Sequence, residues 1–161
     1  MNRTDFTVRL AEESDVPQLH SLVRAAYQEL ADMGLNFTGT YQDEETTRAR
    51  MAGKDVILLC RGEEIVATVS LGLDDDHDRP PALYVTQFAV LPTLKRQGIG
   101  RWLLGLATEK ARELGLPCLR LDTAIPATHL VALYQSDGYT VVDEVQWEGK
   151  TYRSCIMEKR L

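Results

Sequence analysis

Between Lys95 and Arg101 the chain reads Lys-Arg-Gln-Gly-Ile-Gly-Arg, three cations and two glycines in seven residues. This composition suits an anion cradle. Glycine at 98 and 100 lets the backbone approach a ligand with no Cβ in the way, and a helix starting at Ile99 offers unpaired N–H groups at the positive end of its dipole. Phosphate is the chemistry that such a loop binds. The formal net charge of the chain is -6, so the positive charge is local and the reading as a nucleic-acid surface is excluded.

A cradle needs a strand before it and a helix behind it. Ala82 to Leu91 is apolar nearly throughout, as a central strand covered on both faces would be. Ile99 to Leu114 is amphipathic, with Gly115 suited to the left-handed position after a helix and Pro117 blocking continuation. Upstream, Phe6 to Leu10 alternates as a strand. A helix follows, capped by Ser14 or Asp15, with Pro17 in its first turn and apolar residues at Val16, Leu19, Val23, Ala26, Tyr27 and Leu30. Gly34 to Tyr41 reads as loop, and Asp43 to Met51 as a short polar helix ended by Gly53, placed to act as a mobile lid. Asp55 to Arg61 and Ile65 to Leu73 form an antiparallel hairpin around Gly62-Glu63-Glu64, and Asp74 to Pro81 is the next turn. Beyond the cradle helix come a buried strand, Cys118 to Thr123, and a helix, Pro126 to Asp137, closed by Gly138. Two strands, Tyr139 to Val145 and Thr151 to Lys159, flank Trp147-Glu148-Gly149-Lys150. The unit around the cradle is parallel and the two ends are hairpins, which predicts a mixed sheet.

Two other phosphate-binding loops fail on residues. A P-loop needs Lys-Ser/Thr after its last glycine, and Arg101-Trp102 stands there. A dinucleotide site is closer, since Gly98-x-Gly100 opens a helix and Asp122 ends the next strand, but Leu103 replaces the third glycine and six residues separate strand from glycines.

The whole chain resembles the GNAT family of acyl-coenzyme A dependent N-acyltransferases, whose signature is Arg/Gln-x-x-Gly-x-Gly/Ala after a strand ending in Val-x-Pro. Here Val90-Leu91-Pro92 precedes Lys95-Arg96-Gln97-Gly98-Ile99-Gly100, with Leu119-Arg120-Leu121-Asp122-Thr123 and Ala132-Leu133-Tyr134-Gln135-Ser136-Asp137-Gly138-Tyr139 further on. Two positions depart from the pattern: Lys95 replaces Arg or Gln, and Ala127 replaces an Asn that in many members contacts the pantetheine arm. The resemblance implies a single-domain α/β (mixed α+β) fold over residues 6–161, a mixed six- to seven-stranded central sheet flanked by about four helices. It also implies an acetyl-CoA-dependent N-acetyltransferase that moves an acetyl group to a primary amine by direct attack on the thioester.

Transfer to an amine passes through a tetrahedral oxyanion, so the site needs donors to that oxygen and must manage two protons. By resemblance, the pantetheine arm runs along Phe88, Ala89 and Val90, and the pyrophosphate sits on the amides of Arg96, Gln97, Gly98, Ile99, Gly100 and Arg101. Tyr134 matches the family tyrosine that serves the departing sulfur. No general base stands out. Glu29, Asp43, Glu44 and Glu45 belong to the segment that lines the acceptor side in the family, and Tyr27, Phe37 and Tyr41 are expected to line its pocket.

Other chemistries are disfavoured. Cys60, Cys118 and Cys155 lie far apart in strand-like runs and read as buried free thiols. His20, His77 and His129 lack ligand spacing, and Asp74, Asp76 and Asp78 open a calcium-like loop that Arg79 and Val85 break, so no metal is expected. No run is long and apolar enough for a membrane span and the N-terminus has no signal-peptide core, so a cytoplasmic protein is expected, with a homodimer left open. The competing reading is a non-catalytic acyl-CoA-binding regulatory module. The acceptor, small molecule or peptide, is not legible.

Overall fold

Four α-helices and seven strands are formed within residues 2–74 and 76–161, which the computed structural model describes. In chain order they are β1 (Thr7–Leu10), α1 (Val16–Asp32), α2 (Glu44–Met51), β2 (Asp55–Arg61), β3 (Glu64–Asp74), β4 (Ala82–Val90), α3 (Ile99–Glu113), β5 (Cys118–Ala124), α4 (Thr128–Ser136), β6 (Thr140–Val145) and β7 (Ser154–Arg160). One mixed sheet runs β1-β2-β3-β4-β5-β7-β6, with β4 and β5 parallel and the other neighbours antiparallel. The final hairpin enters this order in reverse, with β7 beside β5 and β6 at the edge. Burial explains that choice, because β7 brings Cys155 and Met157 to the core whereas β6 is exposed along most of its length.

Neighbouring residues on a strand point to opposite faces, so Leu58 and Leu59 mark the two layers. Leu59 packs with Leu103, Leu104, Ala107 and Ala111 of α3 and with Tyr134 of α4. Leu58 packs with Leu19, Leu22, Val23 and Ala26 of α1. On β5, Leu119 and Leu121 face α3, which turns Arg120, Asp122 and Ala124 toward the α1 side.

Three local features differ from the sequence expectation. The Asp15 side chain does not cap α1. It accepts from the Glu12 N–H at 2.7 Å and from both terminal nitrogens of Arg9 at 2.8 Å, which ties β1 to the start of the helix. The loop after α1 carries a 3-10 turn at Thr38–Thr40. The segment expected as a mobile lid is fastened to the sheet, because Gln42 joins Arg50 and Thr47 of α2 to Gln87 of β4. Residue 75, within the Asp74 to Pro81 turn, lies outside the described residues.

α3 ends as expected. Gly115 takes φ +70°, its N–H bonds to Arg112 O and the Leu116 N–H reaches back to Ala111 O, both at 3.0 Å, the two bonds of a Schellman motif. Among the described residues no helix is long and apolar enough to cross a membrane.

Candidate active site

Strands β4 and β5 pair only from Ala82 to Tyr84 against Cys118 to Arg120. Beyond that rung they part, and among the described residues β4 has no strand partner on its β5 side from Val85 onward. A cavity of about 660 Å³ opens at the divergence, large enough for an organic ligand.

Its β4 wall is shaped by a bulge. Thr68 pairs with Ala89 and Ser70 with Thr86, so Gln87 and Phe88 together oppose Val69, and Gln87 takes φ +47°. The bulge resets the alternation: Leu83 and Val85 face α3 before it, Val90 faces α3 after it, and Ala89 faces α1. Tyr27 of α1 donates its hydroxyl to the carbonyl of Phe88 at 3.1 Å. Burial pushes the Tyr27 phenol up to about 12, so it stays a donor.

The cradle follows. Arg96 and Gly98 adopt left-handed conformations at φ +65° and +84°, and α3 begins at Ile99 with no side-chain cap. The N–H groups of Ile99, Gly100 and Arg101 therefore have no intrahelical partner. Lys95, Arg96, Gly98, Gly100 and Arg101 line the cavity, as do Phe88, Ala89 and Val90. Gln97 is exposed and does not line the cavity, and Ile99 is buried in the core, so Ile99 can offer only backbone to a ligand. The cationic character is lower than the sequence suggests. Lys95 pairs with Glu29 at 2.9 Å, whereas Arg101 keeps its full charge, donating only to the neutral Ser136 Oγ at 2.8 Å.

Tyr134 reaches the same cavity from α4, wedged edge-on between Phe88 and Tyr139 at centroid separations of 6.1 and 5.9 Å. Burial raises its pKa well above the usual tyrosine range, so it enters any reaction protonated. Ala127 is fully buried.

The acceptor side differs from expectation. Tyr27 and Phe37 line the cavity, Phe37 stacking on Tyr152 at 4.9 Å, but Tyr41 is exposed and does not line it, its hydroxyl lying 3.3 Å from Lys150 Nζ. Glu29 is held below the usual carboxylate range by its bond from Lys95, and Asp43 caps α2 by accepting from the Thr46 N–H at 2.7 Å. Asp43, Glu44 and Glu45 do not reach the cavity wall.

Residues to which the sequence reading gives no part in acetyl transfer take their place; Asp122 enters it only as the acid of a dinucleotide site. Asp122 lies two residues past the last β4–β5 rung and accepts a hydrogen bond from Tyr84 at 2.6 Å. Desolvation raises its pKa, with Tyr84, Trp147, Arg50 and Lys150 pulling the other way. Arg50 lines the cavity with no carboxylate partner among the described residues; its contact is the neutral Oε1 of Gln42 at 2.8 Å. Because guanidinium can only donate, that bond fixes the Gln42 amide, whose nitrogen must then donate to Gln87 Oε1 at 3.0 Å. Gln87 is left with a buried, unpartnered Nε2, and Thr86 and Thr123 have unpartnered hydroxyls on the same walls. Buried polar atoms without partners are few in native proteins, and three of the five found among the described residues line this cavity.

The sequence profile described as the acetyltransferase (GNAT) family matches residues 17–139. The chain is 30% identical over 151 residues to the S-alkylcysteine N-acetyltransferase of Bacillus subtilis (strain 168), covering 91% of this chain and 85% of that protein. It is 28% identical over 157 residues to the S-(2-succino)cysteine N-acetyltransferase of the same strain, covering 95% and 94%. Among solved structures, the ribosomal-protein-S18-alanine N-acetyltransferase from Escherichia coli superposes with a TM-score of 0.76 at 19% identity, over 96% of this chain and 93% of that one. A GNAT acetyltransferase from Elizabethkingia anophelis with acetyl-CoA bound gives 0.72 at 18% identity, over 98% and 99%. These relatives are named as transferases, which does not favour the non-catalytic reading. A profile match over this span, added to a divergent strand pair that leads into a glycine loop at the start of α3, makes the chain a member of the GNAT family and an acetyl-CoA-dependent N-acetyltransferase.

Proposed function

We propose that the acceptor is an α-amino acid of the S-substituted cysteine class, acetylated on its amine by direct attack on the thioester of acetyl-CoA. The observation that carries this reading is Arg50, a permanently charged side chain in the cavity wall whose partner is a neutral amide. Loss of hydration lowers its pKa from the ordinary arginine value, so its charge is stabilised less than in water, and a ligand carboxylate would restore that stabilisation through a charge-assisted bond. Leu30, Phe37 and Tyr152 provide an apolar wall on the same side, suited to a thioether substituent. The two Bacillus relatives are named for cysteine derivatives of this type.

In this reading the N–H groups from Arg96 to Arg101 hold the pyrophosphate. The unpaired β4 edge at Phe88 to Val90 holds the pantetheine arm and polarises the thioester carbonyl. Tyr134 donates to the sulfur as it leaves.

The test is acetyl transfer from acetyl-CoA to S-alkylcysteines, to S-alkylcysteamines that lack the carboxylate, and to peptide N-termini. Cysteine conjugates should exceed the decarboxylated set at least tenfold in kcat/KM. In Arg50→Gln that preference should collapse through KM. Equal rates on both sets would reject the reading.

A further inference from the structure

We propose that Gln42 is a positioning residue for acceptor selection: its side-chain amide directs Arg50 to the acceptor's carboxylate while leaving the guanidinium without an ion-pair partner inside the protein. This rests on the reading of a carboxylate-bearing acceptor in the same cavity. Gln42 does not line that cavity and acts through Arg50, which does.

The residue is 1% exposed and its backbone is held from two sides. Its N–H donates to the Thr38 carbonyl at 2.9 Å, and its carbonyl accepts from His20 Nε2 at 3.0 Å and from Arg24 at 3.4 Å, both on α1. The side chain is then fixed at both ends. Oε1 accepts from Arg50 at 2.8 Å, and Nε2 donates to Thr47 Oγ1 at 2.8 Å and to Gln87 Oε1 at 3.0 Å. Thr47 gives its single hydroxyl proton to the Asp43 carbonyl at 2.8 Å, so toward Gln42 it can only accept. Position 42 therefore has to offer a donor to Thr47 and an acceptor to Arg50. Glutamine does both, and ionised glutamate cannot.

That choice has an electrostatic consequence. A buried guanidinium is ordinarily matched by a carboxylate, because a charge that loses hydration needs a partner in its place. Here a neutral oxygen sets the direction of the group and leaves its charge unmatched at contact distance; Asp122 acts on Arg50 across space but forms no ion pair with it among the described residues. The relay ends on a second open group. Gln87 gives its Oε1 to Gln42, so its Nε2 remains a buried donor without a partner in a residue of the cavity wall. Arg50 and Gln87 are joined through one amide, and a ligand carboxylate supplies what each of them lacks.

Gln42→Glu keeps the size and shape of the side chain and gives Arg50 a carboxylate of its own. Gln42→Met keeps the length and removes the hold without adding charge. The experiment measures kcat and KM for wild type and both variants on the best carboxylate-bearing acceptor and on its decarboxylated analogue, and reads the ratio of the two kcat/KM values. Wild type should favour the carboxylate by about tenfold or more, the worth of one hydrogen bond between charged groups. Gln42→Glu should bring the ratio close to one through KM for the carboxylated acceptor, and Gln42→Met should keep an intermediate preference. A role in packing alone predicts that both acceptors suffer together, and that Met, which forms none of these hydrogen bonds, is the worse variant. If Gln42→Glu does not fold, Gln87→Glu, which replaces the unpartnered donor by a charge in the cavity wall, decides by the same ratio. A Gln42→Glu enzyme that keeps the wild-type ratio, or loses no more of it than Gln42→Met, overturns the inference and leaves the cysteine reading standing. A wild-type enzyme that prefers another class of carboxylate-bearing amine rejects the cysteine reading and still tests Gln42, whereas indifference to the carboxylate rejects both.

Discussion

A β-carbon added at Gly100 would stand 3.0 Å from Cζ of the Phe88 ring, whereas one added at Gly98 would meet nothing within 4 Å. The two glycines of the cradle therefore answer to different constraints. Gly98 supplies a left-handed turn at φ +84°, and Gly100 lets α3 settle onto β4 beside the ring that packs on Tyr134. Both positions were expected to serve ligand approach alone. Gly98→Ala should cost about 1–2 kcal/mol in backbone strain and leave the packing intact. Gly100→Val should shift Phe88, lowering the melting temperature and weakening acetyl-CoA binding together. Thermal unfolding with and without acetyl-CoA separates the two, because a bound ligand at a hundredfold excess over Kd adds about 2.7 kcal/mol only where the site survives. A Gly100→Val protein with wild-type stability and affinity would refute this assignment.

Tyr134→Phe removes one hydroxyl and keeps the aromatic contacts with Phe88 and Tyr139. An interaction made mainly in the transition state changes the chemical step more than ground-state binding. Turnover should fall roughly ten- to a thousandfold, as for loss of one charge-assisted donor, with acetyl-CoA affinity little changed. Single-turnover kinetics reads the chemical step directly, and an unchanged rate there would leave Tyr134 as packing.

What was legible in the sequence is what local chemistry decides. Glycine at 98 and 115 permits left-handed turns, glycine at 100 removes a Cβ, and proline at 92 fixes its own φ, so the cradle and the end of α3 could be placed from spacing alone. Asp122, Arg50 and Gln87 could not, because their proximity arises only when β4 and β5 part and α2 folds over the opening. Gln87 is the hardest case. Nothing in the run from Ala82 to Leu91 announces a left-handed glutamine, and the bulge it makes inverts which residues face the cavity. Asp122 carried a weak signal, a lone acid in an otherwise apolar and basic strand. The acid-bearing β6 could likewise have been read as the edge strand, since Asp143 and Glu144 suit a solvated margin.

Acid should erase one identifiable contribution to stability. The Arg9 fork and the Glu12 N–H hold the Asp15 carboxyl below its usual range. A depressed folded-state pKa gives stability that is fully present above the unfolded value, about 3.9, and lost as pH falls through the folded one. Asp15→Asn should therefore cost about 1–3 kcal/mol at pH 7, the worth of hydrogen bonds to a charged group, and the difference from wild type should shrink below about pH 4. Urea titrations at pH 7, 5 and 3 test the sign; a gap that widens toward acid would contradict it.

Arg120 fastens the root of the divergent strands. It occupies the last β4–β5 rung, opposite Tyr84, and pairs across the sheet with Glu158 of β7. Its Nε donates to Glu158 at 2.7 Å, one terminal nitrogen donates to Asp74 at 2.5 Å, and the other donates to the Pro80 carbonyl at 2.9 Å. Arg120 is 1% exposed and Glu158 3%, so neither charge can turn to water if the other is removed. Arg120→Met should cost about 3–5 kcal/mol, most of it the penalty of a carboxylate left buried with only the exposed Arg160 nearby. The double variant Arg120→Met, Glu158→Leu removes both charges and should recover a large part of that loss, since replacing a buried pair by apolar groups is often close to neutral. Equilibrium urea denaturation of the single and double variants decides the matter. If the double variant is no more stable than Arg120→Met, the penalty does not come from the stranded carboxylate, and packing around the Arg120 stem must account for it instead.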